Sequence, residues 1–568
     1  MEAEEEEGDL GTEGMKVDVE NTTAVEQETS QIRRQERVRR LIEEEMVEAM
    51  EDDQQVAGMV LDSIGSLKQL LGPDKGEEIL QTRIVLQAEV RRSMEEWRPS
   101  IEKELTSLFE TKGALRRVSE SEVNKLVAED LAEVIPSKLV FTVKPDQSQK
   151  AGKKKTRLVA CGNYSDREES QDLFAGGATA VALRAALTIA AQMGFLGSVM
   201  DVRTAFLNAP MVLNSQEGQS PKRAFIKPPA LLVAAGLAKH GEYYEAIMAL
   251  YGYRESPRLW SDYRDVEMSN MEIDCQGGAL TLQQMITEPN MWRMMLRQPG
   301  PFGTTQAEEF VGLVLVYVDD LLVLGTSEAM KAMILAVRQK WETSEPECIG
   351  ITNEVRFLGT ELWRKEDGTW LMTQANYIKD LLKRNLGGEM SSWSTRRIPL
   401  AKEPEVVDNP EEKTAANVKE AQKVVGELVW ITARTRPDLA FFVSKLASMI
   451  TKSPLQVVSL VKSVWHYLAA TWSHGLVFKN EEGERQLNVF TDASYSDVSF
   501  GCHLVLWGSS LLLWKAGKQP IQAASTAEGG FNSGVRAGGG LGGIVGWRCS
   551  EGGFGRGAGC GGSSFFFH

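Results

Sequence analysis

The stretch Val314-Leu315-Val316-Tyr317-Val318-Asp319-Asp320-Leu321-Leu322-Val323-Leu324 sets the tightest limit on what this chain can fold into. Two adjacent carboxylates sit at the centre of an aliphatic run. Two like charges held without partners in an apolar core are costly, and one of them would normally take a proton. Two readings fit the pattern. Either the run is a β-hairpin whose tight turn carries two solvated aspartates, since Asp is common in turns, or the pair meets a cation, for which a divalent metal is the natural choice. The second reading requires a third carboxylate, a phosphate grip and a nucleotide pocket elsewhere in the chain.

A net charge of −16 looks unsuited to a polyanionic partner until it is localised. Residues 1–60 hold 19 Asp/Glu and 6 Lys/Arg, a net of −13, so the other 508 residues carry only −3. The acidity belongs to one end, and the body is free to present a basic groove. The cysteines at 161, 275, 348, 502, 549 and 560 show no CxxC or CxxH spacing, which argues against a zinc knuckle or a disulfide framework and suits a reducing compartment. No apolar stretch opens the chain and no apolar run reaches about 18 residues, so neither a secretory signal nor a membrane span is expected.

Taken in order, residues 1–30 are acidic and lack an apolar period, which predicts disorder. A charged helical pattern runs from Gln31 to about Leu71. From Trp97 an amphipathic helix is expected, with Ile101, Leu105 and Leu108 on one face. Strand-like segments at 138–144 and 157–161 flank the polar stretch PDQSQKAGKKKT, and the simplest reading is a hairpin with that stretch as its turn. A helix over 180–193 follows, with Thr179 as N-cap and Gly194 as its end, and then a strand leading into Met200-Asp201. The texture is α+β, and Asp201 supplies the third carboxylate. Read alone, Asp201 is as well explained as a strand-end residue capping the next turn.

Four blocks now stand together: YVDD between apolar strands, DVRTAFLN at 201–208, LYGYRESPRLW at 250–260 and TRLVACG at 156–162. They resemble the reverse transcriptases of Ty1/copia-type LTR retrotransposons. FLGTEL (357–362), LMTQANYIKDLL (371–382) and VVGELVWITARTRPDLAFFVSKLASM (424–449) continue in that family's order, so the resemblance covers roughly residues 97–528. It implies a right-hand polymerase fold of fingers, palm and thumb/connection, followed by an incomplete RNase H-like α/β domain. The expected domains are an acidic, partly disordered and helical segment (1–95), fingers and palm (96–395), a thumb/connection region (396–483), a partial RNase H-like domain (484–528) and a Gly-rich tail (529–568).

The resemblance also implies roles. Asp201, Asp319 and Asp320 would hold two Mg²⁺ ions, with Mn²⁺ as a substitute, for in-line phosphoryl transfer. Phe206 matches the ring beneath the incoming sugar that excludes a 2′-hydroxyl, although a plain core Phe is the competing reading. Arg157, helped by Lys155 or Lys144, matches the grip on the triphosphate, for which a guanidinium fork is suited. Cys161 stands where many relatives carry a basic residue. Gly252, Ser256 and Pro257 match the segment near the templating base pair, where glycine permits close backbone approach and proline stiffens the turn.

Beyond Leu487 the chain resembles the RNase H domain of the same polyproteins. Asp492 matches its first metal-binding carboxylate and Glu528 the first Glu of its acidic helix. The next ligand would fall at Gly530, and residues 529–568 contain 16 glycines, so no helix of that fold can be written there. A frameshifted or mispredicted end explains this better than a functional Gly-rich tail, and RNase H activity is expected to be absent.

The function expected is RNA-directed DNA polymerisation. The partners would be an RNA or DNA template with its primer, dNTPs and other retroelement polyprotein products. The location would be intracellular, in cytoplasmic virus-like particles or the nucleus. The alternative is a decayed or co-opted element that binds nucleic acid without catalysis.

Overall fold

The computed structural model describes residues 83–146, 149–165, 175–211, 222–299, 305–481, 486–494 and 499–519. The acidic segment, the helix expected over 31–71, Glu528 and the Gly-rich tail lie outside them. The chain divides into two compact units, one from 1–175 with Thr204–Arg264, the other from Gly176–Arg203 with 265–568.

In the first unit the strand Ala132–Asp146 organises a six-stranded sheet. Its first residues pair in parallel with Arg223–Lys227, and its later part pairs antiparallel with Arg83–Val85 and Gln149–Ala160. The expected amphipathic helix is present as Met94–Thr106, continued by a π-turn through Thr111. It buries Trp97, Ile101, Leu105 and Leu108 in one cluster with Leu139, Phe141, Val143 and Leu158 of the sheet. The hairpin differs from expectation. The ladder runs on through Thr142↔Lys155 and Lys144↔Lys153, so most of the Lys-rich stretch is strand, not turn. Alternation explains it: buried Thr156 and Leu158 face the helix, while Lys153, Lys155 and Arg157 occupy the opposite, wetter face.

In the second unit, helix Ala180–Met193 starts and stops where its caps predict. Thr179 Oγ1 accepts from Ala182 N, and Gly194 takes a left-handed conformation, φ 67°. A seven-stranded sheet lies beneath it, in the order Glu347–Cys348, Leu196–Asp201, Asp320–Gly325, Thr305–Tyr317, Met291–Pro299, Gly278–Gln284, Glu272–Cys275, each neighbouring pair antiparallel. Leu322 and Leu324 join Leu183, Leu187 and Ala190 of the helix in one cluster. The alternate residues Leu321 and Val323 are equally buried, and helix Ser327–Lys340 packs against the same strand. Both faces are therefore dry, which is why the sequence shows an unbroken aliphatic run instead of an alternating one.

Further along, a four-stranded sheet is made by Val355–Phe357, Thr360–Arg364, Trp370–Thr373 and Leu476–Phe478. Helices Ala375–Leu386, Ala415–Thr432, Ala440–Met449 and Pro454–Thr471 share a core of their own. The described chain ends in an antiparallel three-stranded sheet, Leu487–Ala493, Phe500–Trp507 and Ser510–Lys518. Among the described residues no helix is long and apolar enough to cross a membrane.

Candidate active site

The aliphatic hairpin is built from Thr305–Tyr317 and Asp320–Gly325, and its two-residue turn is Val318-Asp319. Tyr317 pairs with Asp320, and on the other side of the same strand Asp320 pairs directly with Asp201. Register alone thus puts Asp201 and Asp320 side by side, with Asp319 at the tip. Ligand oxygens of the three carboxylates lie within 4.8 Å of one another, the sole such grouping of three or more His, Cys, Asp or Glu among the described residues.

Backbone bonds hold the group. Val202 N donates to Asp319 O (2.8 Å), Asp201 N donates to Ser344 Oγ (2.9 Å), and Ser344 N donates back to Asp201 O (2.8 Å). Ser344 is a positioning residue that no motif flagged. Val318 sits at φ 59°, which the primed turns of tight hairpins require at this position and which a β-branched residue rarely adopts.

The electrostatics follow from the geometry. Burial pushes the Asp320 carboxyl up to about 6, and the negative charges of Asp319 and Asp201 add to the effect. Three converging carboxylates that repel one another in the absence of a counter-charge form a donor set suited to hard divalent cations, which take oxygen ligands. The cluster can bind a metal.

The other expected site residues lie in the first unit, where they form a second group. The Arg157 guanidinium lies 5.2 Å from the centre of the Tyr251 ring, and Phe206 meets the same ring edge-on at 5.5 Å. Phe206, in the short 3₁₀ turn Ala205–Asn208, is half-buried and not a core residue. Lys155 shares the strand face of Arg157. Cys161 is buried, so it adds nothing to that basic face. Gly252 has φ +81°, and a Cβ there would stand 2.2 Å from Ala160 O. The turn is pinned to the strand of Arg157 by Ala160 N donating to Tyr251 O (2.8 Å) and Gly162 N to Gly252 O (3.1 Å). Ser256, fully buried, donates to Leu250 O (2.6 Å), and Pro257 is the second residue of helix Ser256–Ser269. Tyr251 is the hub of this group, and nothing in its sequence context separates it from Tyr253 two residues on, which is buried instead.

A cavity of about 430 Å³ opens beside Tyr317, lined also by Thr179, Leu358, Gly426, Trp430 and Arg434. Arg434 stacks on Trp430 with its guanidinium 3.7 Å from the ring centre. Its Nε is buried without a hydrogen-bond partner, and burial pulls its pKa down. Asp492 is exposed on the strand Leu487–Ala493, opposite Cys502, and belongs to no carboxylate cluster among the described residues.

The amino-acid sequence has counterparts among known proteins. Residues 122–402 match the family described as reverse transcriptase (RNA-dependent DNA polymerase), so the chain carries a reverse transcriptase domain. It is 24% identical over 408 residues to the retrovirus-related Pol polyprotein from transposon RE1 of Arabidopsis thaliana, covering 70% of this chain and 25% of that one. It is also 24% identical over 436 residues to that of transposon RE2 from the same plant (74% and 27%), and 23% identical over 410 residues to that of transposon TNT 1-94 of Nicotiana tabacum (71% and 28%). The chain is a relative of the Pol polyproteins of Ty1/copia-type retrotransposons, and it spans about a quarter of the length of these curated relatives.

Proposed function

We propose that this chain is an RNA-directed DNA polymerase that adds deoxynucleotides to a primer 3′-hydroxyl on an RNA or DNA template. The observation that carries the reading is the convergence of Asp201, Asp319 and Asp320 inside a reverse transcriptase domain. In it, residues 96–395 serve as fingers and palm and 396–483 as thumb/connection. Two Mg²⁺ ions bound by the three carboxylates would lower the pKa of the primer hydroxyl and offset charge on the departing pyrophosphate.

The protein's own groups do the rest. The 3′-oxygen attacks the α-phosphorus, pyrophosphate leaves, and the primer is one nucleotide longer. Arg157 and Lys155 hold the triphosphate, and the ring of Tyr251 fixes the plane of the Arg157 fork. Phe206, braced edge-on by Tyr251, closes the space a 2′-hydroxyl would need. Gly252, Ser256 and Pro257 shape the turn that supports both. The cavity beside Tyr317, with Trp430 and Arg434, offers an aromatic face and a guanidinium charge to the primer strand near its end. The three-stranded sheet stands as a partial RNase H-like domain in which Asp492 lacks a described partner for metal-dependent cleavage.

Primer extension on poly(rA)/oligo(dT) with Mg²⁺ tests the assignment. Wild type should extend the primer, and Asp319→Asn should lower kcat at least about a thousandfold. Absence of extension by the wild type, or undiminished extension by the variant, would sink it.

A further inference from the structure

Helix Ala180–Met193 covers the sheet that bears the carboxylates, and Arg184 is the one charged residue in its sequence AVALRAALTIAAQM. Arg184 is 2% exposed. Among the described residues its partners are carbonyl oxygens. Nε donates to Leu512 O (2.6 Å), and Nη1 donates to Ala433 O (3.3 Å) and Arg434 O (3.2 Å). The guanidinium also lies 4.3 Å from the centre of the Trp514 ring, and Trp514 Nε1 donates to Thr432 O (2.8 Å).

Three elements therefore meet at one buried cation: the helix over the active-site sheet, the C-terminal end of helix Ala415–Thr432, and strand Ser510–Lys518. A buried cation is tolerated only when its hydrogen-bonding capacity is met. Here the C-cap of the helix and the residue after it supply two of the acceptors, and the last strand supplies the third together with an aromatic face. Removing either contribution from strand Ser510–Lys518 leaves Arg184 under-satisfied and frees the end of helix Ala415–Thr432. That helix carries Trp430, and Arg434 follows its last turn; both line the cavity beside Tyr317.

We propose that the C-terminal three-stranded sheet is a working part of the polymerase. Through Trp514 and Arg184 it fixes the end of helix Ala415–Thr432 and so positions Trp430 and Arg434 for the primer strand. The sheet's value to this chain is then independent of any nuclease chemistry at Asp492. Trp514 and Arg184 are positioning residues, and the proposal rests on reading the chain as a polymerase.

Two full-length variants, Trp514→Ala and Trp514→Phe, test it beside Phe490→Ser, an exposed site on the outermost strand of the same sheet. Trp514→Ala should raise the KM for primer–template about tenfold while leaving the KM for dNTP within about twofold. Trp514→Phe keeps a ring over Arg184 but loses the bond to Thr432, and should show about a threefold rise. Phe490→Ser should match the wild type. Hydrogen exchange in the same proteins should report loss of protection at the C-terminal end of helix 415–432 in Trp514→Ala. Unchanged protection there, or a primer–template KM within about twofold of wild type in a folded Trp514→Ala, overturns the proposal. Should the wild type prove unable to extend a primer, the exchange measurement still decides the coupling, and only the polymerase reading falls.

Discussion

Asp320 is half-buried against the negative charges of Asp319 and Asp201. Its folded-state pKa of about 6 lies above the usual 3.8, so the folded protein holds that proton more tightly than the unfolded chain does. The stabilisation from protonation is complete below the unfolded value and is lost as pH rises through about 6. The rise from 3.8 to about 6 corresponds to about 3 kcal/mol, and screening at this partly solvated site reduces it to about 1–2 kcal/mol. Asp320→Asn in chelator-treated buffer should accordingly be more stable than wild type at pH 7.5, and the difference should vanish near pH 4. Urea denaturation at the two values measures this. A variant no more stable than wild type at pH 7.5 would mean that the carboxylates do not repel one another as their spacing demands. The Asp319-Asp320 pair and Asp201 were legible in the sequence because acidic residues interrupt aliphatic strands. Ser344 was not, since a serine in a loop carries no mark of the strand it will hold.

Among the elements, the turn at Gly252 does most to set a geometry. Gly252→Ala would force a left-handed alanine into Ala160 O and Val159 Cγ1. The turn should lift from strand Gln149–Ala160, costing about 2–4 kcal/mol and loosening Tyr251 under Arg157. The expected signature is a raised KM for dNTP with primer–template affinity unchanged; a wild-type dNTP KM would break the link between this turn and the nucleotide. Helix Ala180–Met193 was readable to the residue, because both of its caps are local in sequence. The long ladder between Ala132 and Ala160 was not. Its lysines look like a solvated turn until the alternation with Thr156 and Leu158 is counted against a covering helix. Contacts such as Arg184 with Trp514 join residues more than 300 positions apart, and no local pattern encodes them.

Across the whole molecule, charge is separated along the chain, with −13 in the first 60 residues and −3 in the rest. A nucleic-acid partner held by phosphate contacts should show affinity that falls steeply with salt. Removal of residues 1–60 should strengthen primer–template binding at low ionic strength by about threefold and have little effect near 0.3 M salt, where charges farther apart than about 6 Å are screened. Filter binding across a salt series would read both. Equal binding at every salt would show that the acidic segment exerts no field on the site.

Strand Asp320–Gly325, which carries one of the carboxylates, is dry on both faces, and this bears on time as well as on stability. Amides of a strand packed that way open only with the whole unit, an event that is rare on the scale of a single turnover. On the polymerase reading proposed above, Asp201 and Asp320 are thus fixed points over many successive additions. On that reading, the motion that lets nucleotide in and product strand out would come from parts other than the strands that hold the acids.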